Sequence, residues 1–135
     1  MDKKDYRVFV LMGDGELAEG SIWEGAMAAA HYGLDNLVGI VDRNRLQISG
    51  DTESVMQLES LKEKWTGFGW MTYVIDGHDM RALLEAFNNI PRAIGKPTLY
   101  STYNKGQGCL IHGKYCTMAS RRSDIRTVAA CVYRT

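Results

Sequence analysis

Two apolar runs, Val8 to Met12 and Leu37 to Val41, each pass without a spacer into a short polar tip: Gly13-Asp14-Gly15 after the first, Asp42-Arg43-Asn44 after the second. Runs that are apolar at successive positions, not merely alternate ones, fit strands covered on both faces of a parallel sheet. The segment between them, Ser21 to Tyr32, is rich in helix formers, offers Ser21 as an N-cap and stops at Gly33. Strand, helix and strand make a crossover unit, which is right-handed in nearly all proteins and delivers both strand ends to one edge of the sheet. Asp14 and Asn44 are therefore expected side by side in space. A carboxylate, an amide oxygen and neighbouring backbone carbonyls suit a hard divalent cation such as magnesium, which keeps room for phosphate oxygens and water.

The rest of the chain repeats the alternation. Within the first helix, Ile22, Ala26, Ala29 and Ala30 form an apolar stripe that reads as core. Arg45 to Thr52 reads as an irregular loop. Leu58, Leu61, Trp65 and Phe68 then fall on one helical face, Met71 to Ile75 is a third strand, and Asp76-Gly77 supplies a turn. His78 beside Asp79 reads as a local hydrogen-bonding group rather than a catalytic one. Met80 to Ile90 is a short amphipathic helix ended by Pro91, and Thr98 to Tyr103 is a fourth strand. Strands alternating with helices predict an α/β fold with a parallel sheet and crossover helices.

Composition narrows the function classes. With 16 Lys+Arg against 16 Asp+Glu, no net charge draws the chain to nucleic acid or to an acidic membrane. No apolar run approaches the roughly 20 residues that cross a bilayer, and Met1 to Asp5 lacks the apolar core of a signal peptide, so the expected compartment is the cytoplasm. Cys109, Cys116 and Cys131 include no Cys-x-x-Cys pair and read as thiols.

The stretch from Gly13-Asp14-Gly15 to Asp42-Arg43-Asn44 resembles the thiamine diphosphate and magnesium motif of transketolases, in the form found in separately encoded N-terminal subunits. The likeness continues through Arg45-Leu46-Gln47-Ile48-Ser49-Gly50, Gly67-Phe68-Gly69-Trp70 and Asp76-Gly77-His78-Asp79 to Lys105-Gly106-Gln107-Gly108. A lone Gly-Asp-Gly would mean little, since it is common in tight turns. The resemblance implies a partial thiamine diphosphate-binding domain of the PP type over residues 1–108. It implies that Gly13, Asp14, Gly15 and Asn44 bind the cofactor, and that the Asp14 carboxylate, the Asn44 side chain and the Leu46 main-chain carbonyl bind Mg2+. It also implies that Glu19 and Glu24 sit at an interface between subunits; the plainer alternative is that both favour a helix start through its dipole. The implied activity is two-carbon ketol transfer between sugar phosphates, and no residue of this chain is singled out as catalytic.

The resemblance further implies an oligomer and a partner, the transketolase C-terminal subunit, whose pyrimidine-binding domain holds the acid that activates the cofactor's aminopyrimidine ring. Relatives carry a long region ahead of the first strand, so the chain is expected to begin in the middle of a domain. After Gly108 the pattern breaks, and residues 109–135 read as a divergent tail. Codons exist for Cys109 to Ser120 that, read one base later, spell the continuation expected of the family, ending in a Trp-His pair, so a one-nucleotide insertion near the Gly108 codon is the hypothesis for the break. His112 accordingly takes no role from the family, and the tail is expected to be loosely attached. Two other readings are a non-catalytic binding or assembly module and another thiamine enzyme such as a deoxyxylulose phosphate synthase. The Glu-Leu-Ala-Glu-Gly-Ser-Ile-Trp-Glu run after Gly15 favours transketolase over the latter.

Overall fold

The computed structural model describes residues 6–103 and the backbone of residues 130–133. Strand β1 (Arg7–Gly13) is followed by a 3-10 turn (Asp14–Ala18), helix α1 (Gly20–His31) and strand β2 (Leu37–Arg43). β1 and β2 pair in parallel with Val8 opposite Leu37 and Gly13 opposite Asp42, so the two polar tips leave the sheet in register. A hairpin of β3 (Leu46–Gln47) and β4 (Gly50–Asp51) follows, then α2 (Thr52–Val55), α3 (Leu61–Gly67), β5 (Met71–Asp76), α4 (Met80–Asn88) and β6 (Thr98–Tyr103). The sheet order is β5-β6-β2-β1, all parallel, with β7 (Ala130–Tyr133) antiparallel on the outer side of β1. β2 lies between β1 and β6 and is buried from Val38 to Arg43.

Alternation along the strands divides the interior into two layers. Met12, Val41 and Leu99 face α1 and α3, where they meet Leu17, Ala26, Ala29, Leu61, Trp65 and Trp70. Val38, Ile40 and Tyr100 face α4 and meet Ala86 and Ile90. The first layer is fastened by aromatic rings: Trp65 stands edge-on to Trp70 at 4.8 Å and lies 5.5 Å from Trp23. Two of these indoles also bond the backbone, Trp70 Nε1 donating to the Ala26 carbonyl at 2.9 Å and Trp23 Nε1 to the Leu17 carbonyl at 2.8 Å. The second of these bonds ties the 3-10 turn bearing Asp14 to α1.

Several expectations are corrected. Ser21 is not the cap of α1: the helix begins one residue earlier, and the N-cap position is Glu19, whose side chain makes no capping bond. β1 is covered only in part: Met12 alone of the strand is fully buried, while Val10 packs on the α1 side and Phe9 and Leu11 on the α4 side, where Phe9 is met by the edge of Phe87 at 5.9 Å. Arg45 to Thr52 holds the β3–β4 hairpin. The helix expected from Leu58 starts at Leu61, because Asp51 caps α2 through the Ser54 N–H at 2.9 Å, and the following residues run on before Ser60 opens α3. Of the tail, Ala130–Tyr133 is a strand rather than a loose segment; the outer edge of β1 offers unpaired N–H and C=O groups to any β-prone stretch. The remaining tail residues, His112 and the Gly108 junction among them, lie outside the described residues. His78 donates its main-chain N–H to Asp76 Oδ1 at 2.9 Å, and its partly exposed ring lies with Nδ1 3.8 Å from the same oxygen.

Gly39, at the centre of β2, shows how tightly the first layer is packed. A Cβ there would lie 2.7 Å from Leu99 Cδ1, 3.3 Å from Met12 Cε and 3.4 Å from Trp70 Cζ3. Gly39→Val is expected to lower stability by about 1–3 kcal/mol through overpacking, read as a lower urea midpoint with an unchanged slope.

Candidate functional site

The carboxyl ends of the strands form the edge where open α/β sheets bind ligands. Asp14 opens the 3-10 turn directly after β1 and is fully buried. Its Oδ2 accepts two hydrogen bonds, from Arg43 Nη1 at 2.7 Å and from the Arg45 backbone N–H at 2.6 Å. Its Oδ1 is buried with no partner. An unmatched buried acceptor costs about 1–3 kcal/mol, and more when it carries charge; Trp65 Nε1, Thr72 Oγ1 and Thr98 Oγ1 are buried without a partner as well, and among these atoms of the described residues only Asp14 Oδ1 belongs to a group that can carry charge.

The second tip lies against the first. Arg45, which donates to Asp14, immediately follows Asn44 and takes a left-handed backbone with φ of 64°. Asn44 Oδ1 accepts from the Leu46 N–H at 2.7 Å, which closes a tight local turn. Asn44 is half-buried and Leu46 exposed. The structure thus brings Asp14, Asn44 and Leu46 to one corner, through a carboxylate that bonds the peptide between the last two. Gly13 donates its N–H to Glu16 Oε2 at 2.9 Å, closing the 3-10 turn. Gly15 is needed for close approach: a Cβ there would stand 2.8 Å from Gln47 Cβ. Glu19, at the N-cap of α1, and Glu24, within it, are exposed and engage no side chain among the described residues, and Glu24 lies beyond the first turn, where the helix dipole has little hold on it.

Arg43 is the residue that sequence reasoning left without a role. Its side chain is fully buried and ion-paired with Asp14 at 2.7 Å, with Glu59 at 3.1 Å and with Glu53. Thr52 Oγ1 accepts from it at 2.8 Å. The available signal was a pair of charged residues, Asp42 and Arg43, ending an otherwise apolar strand, with Glu53 and Glu59 downstream. Burial raises the Asp14 pKa above its usual 3.8, and the hydrogen bond and charge of Arg43, with the Arg45 and Gly15 N–H groups, offset that only in part. For Arg43, burial works against the charge, but bonds to Asp14 and the charges of Asp14 and Glu59 outweigh it and hold the guanidinium protonated.

Among the described residues no cluster of three or more His, Cys, Asp or Glu side chains is arranged to hold a metal. A cation here would rely on one carboxylate with amide and backbone oxygens, an all-oxygen set that fits magnesium rather than a soft metal. An apolar cleft of about 310 Å³, lined by Leu17, Trp23, Met56, Leu58, Lys64 and Phe68 among others, contains none of the tip residues, so the polar chemistry is not centred there. No helix among the described residues is long and apolar enough to cross a membrane.

Residues 1–113 match the family profile described as "Transketolase, thiamine diphosphate binding domain". The chain is 53% identical over 109 residues to one of the subunits of the apulose-4-phosphate transketolase of Phocaeicola vulgatus, covering 80% of this chain and 39% of that protein. It is 41% identical over 99 residues to a 6-deoxy-6-sulfo-D-fructose transketolase subunit of a Clostridium species, covering 73% and 36%. The fold is similar to the transketolase of Campylobacter jejuni, with a TM-score of 0.66 at 31% identity over 73% of this chain and 15% of that one. A Pichia stipitis transketolase gives 0.67 at 33% identity over 76% and 15%. The chain therefore spans well under half the length of each of these relatives.

The Asp14 environment has a pH signature. With its folded pKa above 3.8, the native state binds more protons than the unfolded chain between the two values, so stability falls as pH rises through that window and then levels off. In the presence of chelator, Asp14→Asn is expected to remove this slope, so that its urea midpoint gains on the parent's as pH rises. An Asn variant that tracks the parent at every pH would contradict the assignment.

Proposed function

We propose that this chain, which belongs to the family of transketolase thiamine diphosphate binding domains, provides the diphosphate-side half of a transketolase active site. The observation that carries the reading is the buried, unpartnered Oδ1 of Asp14 beside Asn44 and Leu46 at the carboxyl edge of the sheet. In this reading Mg2+ is held by the Asp14 carboxylate, the Asn44 amide oxygen and the Leu46 carbonyl, with Gly13 and Gly15 keeping the backbone close. Asn44 Oδ1 has a second lone pair free for this while it accepts from Leu46.

A carboxylate about 4 Å from a phosphate charge is repelled by about 4 kcal/mol at an effective dielectric near 20, and a divalent cation between the two turns repulsion into attraction. Asp14 thereby becomes an anchor for a diphosphate rather than an obstacle to it. Bound thiamine diphosphate supplies the electron sink for breaking and making the carbon–carbon bond in two-carbon ketol transfer between sugar phosphates. The chain's own contribution is placement. The Phocaeicola vulgatus relative is itself one of the subunits of a transketolase, which supports an assembly in which a C-terminal subunit brings the pyrimidine side and the acid that activates the ring. Glu19 at the N-cap of α1 and Glu24 within it, both exposed, are proposed to face that assembly.

Calorimetry with thiamine diphosphate and Mg2+, with and without a transketolase C-terminal subunit, followed by a ketol-transfer assay, tests this. Magnesium-dependent cofactor binding and turnover only with the partner are expected; binding without turnover would instead indicate a non-catalytic module. Asp14→Ala and Asn44→Ala are each expected to weaken cofactor binding tenfold or more, by an order-of-magnitude reckoning of about 1.4 kcal/mol or more. In chelator the thermal midpoint of Asn44→Ala should move little, whereas Asp14→Ala should also lose about 3–5 kcal/mol of stability because it breaks the buried pair with Arg43. An Asn44→Ala variant that loses binding only as far as it loses folding would count against the metal assignment.

A further inference from the structure

Three carboxylates from separate segments converge on the guanidinium of Arg43: Asp14 from the 3-10 turn, Glu53 from α2 and Glu59 from the stretch before α3. Nη1 donates to Asp14 Oδ2 and Thr52 Oγ1, Nη2 faces Glu53 and Glu59, and Nε donates to Glu59 Oε1 at 3.2 Å. Glu53 Oε1 also accepts from the Leu58 N–H at 3.2 Å, so residues 52–59 are fastened to the guanidinium at three points along their length. Arg43 and the Arg45 N–H both use Oδ2 of Asp14, which leaves Oδ1 alone. Counted as ions, the cluster carries an excess of two negative charges.

On the reading that Asp14 Oδ1 takes a divalent cation, we propose that Arg43 is a positioning residue that couples cation occupancy to the docking of residues 52–59. A divalent ion cancels the excess charge and relieves the mutual repulsion of the carboxylates gathered on one guanidinium, so Glu53 and Glu59 are held more firmly. Linkage then requires the docked segment to raise cation affinity by the same factor. Met56, Gln57 and Leu58 of this segment also wall the apolar cleft, so the cation tightens one side of that cleft.

The probe is Mn2+ alone, with free ion measured by electron paramagnetic resonance and amide hydrogen exchange followed along the full chain. Saturating Mn2+ is expected to slow exchange at Ser54, Met56 and Leu58 about fivefold or more, the lower range of typical coupling. Arg43→Lys keeps the charge but replaces a planar fork with a point charge that cannot span three carboxylates. It should still bind Mn2+, with the cation-dependent slowing lost. The double variant Glu53→Gln/Glu59→Gln changes side chains at the rim and leaves the Asp14–Arg43 pair in place; its Mn2+ affinity should fall by a similar factor. Wild-type exchange indifferent to bound Mn2+, full slowing in Arg43→Lys, or unchanged affinity in the double variant would each overturn the coupling while leaving the cation site standing. If the wild type binds Mn2+ no better than Asp14→Ala, the cation reading falls and the coupling with it.

Discussion

The buried contact between Asp14 and Arg43 is the constraint on which the polar end of this domain depends. Removing two ions from water is unfavourable by several kcal/mol each, and only good geometry with further hydrogen bonds offsets it. Here the geometry is supplied by the sheet. β1 and β2 pair in register, Gly13 opposite Asp42, so the next residue of each strand meets the other across the edge. The arginine is saturated by Asp14, Thr52, Glu53 and Glu59, whereas the aspartate keeps one oxygen unmatched. That asymmetry leaves the aspartate, and not the arginine, with a buried group still to be matched.

The apolar layers hold this corner in place. Trp23 joins the 3-10 turn to α1 through its bond to Leu17 and stacks against Trp65 and Phe68, so the turn that aims Asp14 is built on the best-packed part of the molecule. The opposite layer is thinner. Ala86 of α4 and Ile90 just after it cover β2 and β6, while on β1 Phe9, which meets the edge of Phe87, and Leu11 pack against this layer and remain half-buried. The candidate site therefore rests on the α1 and α3 side, and the carboxyl edge of the sheet is framed by one strong layer and one thinner one.

Much of this was legible in the amino-acid order. Continuous apolar runs ending in Gly-Asp-Gly and Asp-Arg-Asn encode two buried strands, a crossover and a meeting of tips, because strand period, helix propensity and crossover handedness are local or nearly universal constraints. The helix at Met80 and the strand at Thr98 follow from the same signals. What was misread depends on neighbours: Ser21 has the chemistry of a cap but sits inside the helix, and Arg45 to Thr52 carries turn residues yet pairs as a hairpin.

By itself, then, the sequence determined the alternating α/β architecture, the family likeness and the convergence of Asp14 with Asn44, since each follows from patterns a few residues to one crossover long. Only the tertiary structure decided that Arg43 is buried against Asp14, that Glu53 and Glu59 share it, and that Oδ1 is left over. The physical reason is that burial and pairing of a charge are settled by whichever distant groups arrive around it, and no local pattern records their arrival.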